Sequence, residues 1–486
     1  MTASARIVTG RYVDSVVLMR LAQRLAGLPG VNDAAAVMGT DANKALLAEG
    51  GFVADGVAGA GPDDLVVAVK AANEAAAAEA LGQVELLLNA PGASAGGFER
   101  VRTLEEALVR QPGTNVVVVS VPGGYAAAEA RRALEHGLHV FLFSSNVALE
   151  DELELKRIAT ERELLCMGPD CGTAIIGGVG LGFANAVRRG PVGVVGASGS
   201  GLQAVTSLLD RFGIGISHAI GAGGRDLSDA VGGATTFAGL RALLDDPGTE
   251  AILVVSKPPG PATARRLLAA AGSAAKPVVC CFLDEMTLEE AALAGAASVG
   301  RTATVPESPK PEERPPAGRR FVRGLYAGGT LAYEAQLVLQ RAGLDVASNA
   351  PLPGERSLGK DGRSSGHAVL DLGSEEFTLG RPHPMLDSRA RRARLAEEAA
   401  DPETAVILLD FVLGYGAAAD PAGDLTDAIA AARERRIAVV ASVCGTEGDP
   451  QGLRVQEALL REAGALVLPT NAAAARIAAL LVGGAP

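Results

Sequence analysis

Residues 190–210, GPVGVVGASGSGLQAVTSLLD, set a cluster of glycine and serine between an apolar run and an amphipathic one. The apolar run reads as a buried strand and the later segment as a helix, so Ser198, Gly199, Ser200 and Gly201 fall in a loop at a helix N-terminus. Free amides at the positive end of a helix hold phosphate or carboxylate. Gly199 to Ala204 also fits the dinucleotide pattern G-x-G-x-x-A. The next strand, GIGISHAIGAGG, ends in glycines where a dinucleotide site needs an acidic residue for the ribose, so a small anion is the better ligand. The alternative is glycines that serve only close strand–helix packing.

Other residues suit the same chemistry. Lys257, in VVSKPPG, stands at a strand end before two prolines, where an ammonium would clamp an anion or simply be solvated. Arg225, in GAGGRD, is a second anion contact or the partner of Asp226. His367, in SSGHAVLDLG, and His383, in GRPHPMLD, are candidate acid/base groups, with structural histidines as the alternative. Arg381 beside His383 suits a substrate carboxylate. Catalytic roles are therefore sought at Lys257, His367 and His383. Cys171 would be a nucleophile only beside a base, and packing is the simpler reading. The five cysteines have no Cys-x-x-Cys pair and read as reduced thiols, and no metal site is expected.

The elements that must position these residues follow from composition and pattern. A chain of 486 residues exceeds one core, and 48% hydrophobic residues with 3% aromatics and no Trp imply closely packed α/β layers of small aliphatics. A net charge of −12 with pI near 5.1 argues against nucleic acid or an anionic membrane as partner. No signal-like leader or long uncharged apolar run is found, so a soluble, cytoplasmic protein is expected.

Residues 1–92 alternate short strands (Ala5–Val8, Val31–Met38, Leu65–Val69) with helices, the second capped by Thr40-Asp41, as in a small ferredoxin-like or ACT-like unit. Residues 100–189 read as a partial Rossmann-like, CoA-binding-like domain. Residues 190–304 and 320–486 read as two flavodoxin-like α/β domains, joined by the proline-rich, charged segment 305–320. These two repeat each other: GASGSGLQAVTSLLDRFG parallels AGGTLAYEAQLVLQRAG, and DPGTEAILVVSKPPG parallels DPETAVILLDFVLG. Between the matched positions the offset grows from 129 to 155, an apparent insertion that includes GRSSGHAVLDLGSEEFTLGRPHP. It is expected to wall a substrate site, bringing His367, Arg381 and His383 near the glycine loops. The paired domains should aim two helix N-termini at one cleft, with Gly414, Tyr415 and Gly416 facing Gly199–Gly201.

The motifs MGPDCGTAI, GPVGVVGASGSGLQAV and SHAIGAGGRDLSDAVGG resemble the α-subunit of succinyl-CoA synthetase, and the later copy resembles the carboxy-terminal domain of its β-subunit. With VMGTDANK, SKPP, GRPHPMLD and CGTEGDPQG, the match is closest to the FdrA proteins of that NDP-forming acyl-CoA synthetase superfamily. The resemblance implies a phosphate held between two helix N-termini. The chain departs from it where the synthetases carry a phosphohistidine: the segment after KPVVCCFLD is EMTLEEAALAGAASVG, without histidine. The family's supporting glutamate falls on Lys257, and no ATP-grasp domain is recognisable. His367 follows a glycine but precedes a strand of the other repeat, which does not suit a phosphoryl carrier.

The FdrA resemblance implies a subunit of a catabolic oxamate carbamoyltransferase in allantoin breakdown, converting oxalurate and phosphate to oxamate and carbamoyl phosphate. The alternatives are an acyl-CoA synthetase subunit completed by a separate ATP-grasp chain, and a non-catalytic scaffold. Expected partners are phosphate, a small anionic substrate, and other subunits or further copies of the chain. No cofactor is expected, with CoA as the one to test.

Overall fold

The computed structural model describes residues 2–11, 13, 15–40, 43–44, 47–48, 51–89, 101–311, 314–359, 362–378 and 382–484. Residues Met1–Arg102 with Glu376–Pro382 form one compact unit, and Thr103–Glu375 with His383–Pro486 form another. No described helix is long and apolar enough to cross a membrane.

In the first unit, β1 (Thr2–Val8), β2 (Val31–Met38) and β3 (Leu65–Ala71) form an antiparallel sheet in the order β1-β3-β2. The central strand reads LVVAVKA, a near-continuous apolar run, because both of its faces are covered: Leu65, Val67 and Val69 lie in one core and Val66 and Ala68 in another. The helix Ser15–Ala26 contributes Leu18, Leu21 and Leu25 to the core with Leu65, Val67 and Val69. Thr40 caps the next turn by accepting from Asn43 N at 3.3 Å. Asp41 lies outside the described residues.

The second unit holds three sheets. β4 (Val116–Val119), β5 (His139–Leu142) and β6 (Cys166–Met167) are parallel, with the helices Gly123–Glu135 and Leu149–Glu161 between them in the chain. The hairpin β7 (Thr173–Ile176) and β8 (Val179–Gly182) lies within the span 100–189 but joins the next sheet. That sheet adds β9 (Arg189–Gly196), β10 (Ile216–Gly221), β11 (Ala251–Ser256) and β12 (Val278–Phe282), in the order β12-β11-β9-β10-β7-β8.

The third sheet contains β13 (Phe321–Tyr326), β14 (Val346–Ser348), β15 (His367–Asp371), β16 (Thr404–Val412), β17 (Ala438–Cys444) and β18 (Leu466–Leu468), all parallel. Its order is β14-β15-β13-β16-β17-β18. The run β12-β11-β9-β10 thus has its counterpart in β17-β16-β13-β15. Between the sheets, residues 301–311 and 314–320 carry no helix or strand.

This correspondence corrects the reading of the apparent insertion as a wall. Its HAVLD segment is β15, the counterpart of β10, so that part is a sheet strand buried beside β13. The additional length lies around β14 and in the segment between β15 and the helix Arg389–Ala400.

The helices that follow β9 and β13, Gly199–Arg211 and Gly329–Arg341, are buried almost all round. Leu202, Val205 and Leu209 of one share a core with Leu331, Ala335 and Leu339 of the other. A helix apolar on every face needs cover on every face, so the two copies pack helix against helix. At about 25 cal/mol per Å² of apolar surface, each such leucine contributes roughly 2 kcal/mol.

Candidate functional site

Both strand–glycine loop–helix turns lie at the C-terminal edges of parallel strands, the edge where open α/β sheets hold ligands. Ser198 is the N-cap of the first helix, in extended conformation, and its Oγ accepts from Gly201 N at 3.0 Å. The same oxygen lies 2.7 Å from Thr330 Oγ1, and Thr330 N donates to Ser200 Oγ at 3.2 Å. The first turns of the two helices therefore meet directly. Only glycine permits this approach: a Cβ on Gly201 would fall 2.2 Å from Ser198 Oγ, and one on Gly328 would fall 3.0 Å from Ser200 Cβ.

The partner of Gly199–Gly201 is thus the turn Gly328-Gly329-Thr330, and the placement of Gly414–Gly416 at a helix N-terminus is corrected. Gly414, Tyr415 and Gly416 form the turn after β16, the counterpart of the turn that follows β11. Tyr415 N donates to Ala184 O at 2.7 Å, and Gln451 closes the turn by accepting from Gly414 N and donating to Gly414 O, each at 3.0 Å. Positive φ at Gly414 and Gly416 serves a bend docked on Ala184, in the segment that leads into the first copy.

The two N-termini differ in what occupies them. Ala327 N and Gly328 N each donate to Asp410 at 2.8 Å, and Arg391 Nη2 donates to the same carboxylate at 2.9 Å. Asp410 is fully buried, and burial raises its pKa while Arg391 opposes the shift. The second helix thus carries a built-in anion. At the first helix Ser198 takes only Gly201 N, which leaves Gly199 and Ser200, the first two amides, without a capping side chain.

Lys257 follows β11, and its Nζ lies 5.6 Å above the ring of Tyr333 on the facing helix. It has no ion pair among the described residues. Tyr333 is itself pushed up to about 12 by burial.

His383 accepts from Met385 N at Nδ1, 3.2 Å away, which assigns the ring proton to Nε2. A Cβ on Gly373 would lie 2.7 Å from that Nε2 and 2.7 Å from Ala327 O, so His383 borders the second glycine turn. Burial holds its pKa down to about 4. The ring is therefore a neutral donor near pH 7, and its second nitrogen is engaged.

Two other expectations meet different placements. His367 begins β15, at the edge opposite the glycine turns, because it is the first residue of the strand; its Nδ1 accepts from Val322 N at 3.1 Å and its ring meets Phe321 edge-on. Arg225 donates to Val147 O at 2.7 Å and forms an ion pair with Glu152 at 2.9 Å, which ties down the helix Leu149–Glu161. Its neighbour Asp226 pairs with Lys156 and caps the helix Ala234–Asp245 through Thr235 N and Thr236 N. Arg381 lies outside the described residues. Cys171 is buried and its thiol is pushed up to about 12 by burial, which removes it as a nucleophile.

Sequence reasoning missed the carboxylate and amide side chains that set this geometry. Asn185 Nδ2 donates to Leu413 O at 2.9 Å and to Asp449 at 2.8 Å, and Gln203 donates to Asn185 Oδ1 at 3.1 Å, stitching the first copy to the second. The only signal for Asp410 was a lone carboxylate inside the apolar run VILLDFV. Burying a charge there requires partners, and the helix amides and Arg391 supply them.

Residues 325–481 match the family described as CoA-ligase, residues 187–283 the CoA binding domain, and residues 1–103 the AllF heavy metal-associated domain. The uncharacterized protein YahF of Escherichia coli (strain K12) is 40% identical over 487 residues, covering 95% of each chain. The succinate–CoA ligase (ADP-forming) subunit alpha of Aquifex aeolicus is 29% identical over 172 residues, 34% of this chain and 55% of that subunit. The chain thus spans about half the length of that relative. Among solved structures, the dinucleotide forming acetyl-coenzyme A synthetase 1 of Ca. Korarchaeum cryptofilum, in complex with phosphate and ADP, covers 76% of this chain and 82% of its own, at 16% identity and a TM-score of 0.30.

The fold is mixed α/β, with Rossmann-like CoA-binding and CoA-ligase domains after a small N-terminal domain. Residues 1–103 contain neither cysteine nor histidine, so that small domain lacks the thiolate and imidazole ligands of a heavy-metal site. Among the described residues no cluster of three His, Cys, Asp or Glu could hold a metal.

Proposed function

Since the chain belongs to the family of the Escherichia coli protein YahF, we propose that it is one subunit of an acyl-CoA synthetase-like enzyme of the NDP-forming kind, which holds a phosphate or acyl phosphate where its glycine-turn helices meet. The observation that carries this reading is the contact of Ser198 with Thr330, which brings together two helix N-termini, one from each sheet. In acyl transfer, the thiol of CoA attacks the acyl carbon and phosphate leaves. The amides of Gly199 and Ser200 suit the departing phosphate, and Lys257 adds a countercharge. His383, neutral and accepting at Nδ1, keeps its proton on Nε2 for a ligand and does not serve as a base. Nucleotide chemistry is assigned to a separate subunit.

A second reading keeps one observation in its favour. Residues 284–300 contain no histidine that could carry a phosphoryl group. Direct attack of phosphate on a carbamoyl group, as in oxalurate plus phosphate giving oxamate plus carbamoyl phosphate, needs no such carrier.

The chain purified with the products of neighbouring genes separates the readings. ATP- and CoA-dependent acyl-CoA formation from short carboxylic acids is expected under the first, and carbamoyl phosphate from oxalurate and phosphate under the second. A complete complex that does neither sinks both and leaves a scaffold role.

A further inference from the structure

The two facing helix ends treat anions oppositely. At the Gly329 helix the amides of Ala327 and Gly328 are taken by Asp410, a buried carboxylate neutralised by Arg391. A second negative charge there would meet the first with little water to screen it. At the Gly199 helix no side chain among the described residues takes the first two amides, and Gly199 itself is partly exposed.

A separate observation marks that same end. Thr173, the first residue of β7, is 1% exposed, and its hydroxyl has no hydrogen-bond partner among the described residues. Its Oγ1 faces Gly199, 3.4 Å from where a Cβ on that glycine would be, and Gly172 Cα lies 3.9 Å from the same point. Gly199 thus keeps a side chain away from a buried, unsatisfied donor next to open helix amides. Packing does not account for the hydroxyl, because valine has the same shape without the cost of burying an unpaired O–H.

We infer that the anion seat is one-sided: phosphate binds at the Gly199 helix alone, held by the Gly199 and Ser200 amides and by the Thr173 hydroxyl, while Asp410 closes the Gly329 helix to anions. This rests on the proposed phosphate-holding acyl-transfer site and names a residue and a side for it. Thr173 is a binding residue under this assignment, and the Gly329 helix has a positioning role.

Calorimetric titration of the full chain with inorganic phosphate tests it, with acetate as the carboxylate arm. The wild type should bind phosphate, and Thr173→Val should weaken that binding by about tenfold, the effect of one hydrogen bond to a charged group. Its melting temperature should be unchanged or higher, and Thr173→Ser should restore most of the affinity. Should valine disturb the hairpin, Thr173→Ala removes the hydroxyl without added bulk. Unchanged phosphate affinity in a folded hydroxyl-free variant overturns the inference and leaves the phosphate site standing. Loss of acetate binding alone, with phosphate retained, overturns the assignment of the hydroxyl to phosphate. Absence of phosphate binding by the wild type removes the phosphate site and the inference together.

Discussion

Asp410 and Arg391 meet at 2.9 Å in the core of the second copy, and the loop before Gly329 hangs on them. Arg391 also donates to Leu325 O at 2.9 and 3.1 Å, so the pair fixes the end of β13 as well as the amides of Ala327 and Gly328. Removing one member of a buried pair leaves the other charged and unpaired. Asp410→Ala is expected to lower unfolding free energy by about 3–5 kcal/mol, read as a lower urea midpoint. Replacing both, Asp410→Leu with Arg391→Met, should recover part of that loss.

The junction of the two copies can be opened at one atom. Gly201→Ala places a methyl against Ser198 Oγ and 3.2 Å from Thr330 Cγ2. The Ser198 cap and its contact with Thr330 should both be lost, at about 1–3 kcal/mol for overpacking. A thermal melt checks this, and a stability equal to wild type would mean that the helix ends have room to separate.

Lys257 is expected to act on a ligand more than on the fold. Its one described contact is the Tyr333 ring, worth about 0.5–1 kcal/mol at a partly exposed site. Lys257→Ala should weaken phosphate binding by about 1.5–3 kcal/mol and Lys257→Arg should recover part of it. Phosphate affinity unchanged in the alanine variant would make Lys257 a packing residue over Tyr333.

The pH dependence of stability has two opposed sources. Burial depresses His383 to about 4, so the unfolded chain takes up a proton that the folded chain refuses between the ordinary 6.5 and that value. Stability from this residue is present above pH 6.5 and is lost as pH falls toward 4; His383→Gln should flatten that acid limb. Glu334 is the reverse case: burial raises it to about 7 although it accepts from Leu288 N and Asn471. Its contribution is full below about 4.5 and is lost as pH rises through 7, and Glu334→Gln should reduce that alkaline loss. Urea midpoints at pH 5, 7 and 8.5 read both limbs, and parallel curves for wild type and variants would show these groups to be bystanders.

Local pattern determined much of this protein. The apolar runs before Gly199 and Gly329 specify buried strands, the glycines after them specify close turns, and the likeness of the two segments requires two copies of one α/β unit. Such features depend on neighbours in the chain, so they are legible without a fold. His367 drew notice by its preceding glycine, yet its position as the first residue of β15 puts it at the opposite edge, a matter of strand direction. Gly414–Gly416 look like Gly199–Gly201 in composition, but one turn starts a helix and the other docks on Ala184. What decided the site was long-range pairing: Asp410 with Gly328, 82 residues apart, Ser198 with Thr330, 132 apart, and Asn185 with Asp449, 264 apart. A carboxylate in an apolar strand announces that it needs partners, but only the packing of strands and helices supplies them, and with them the asymmetry between the two helix ends.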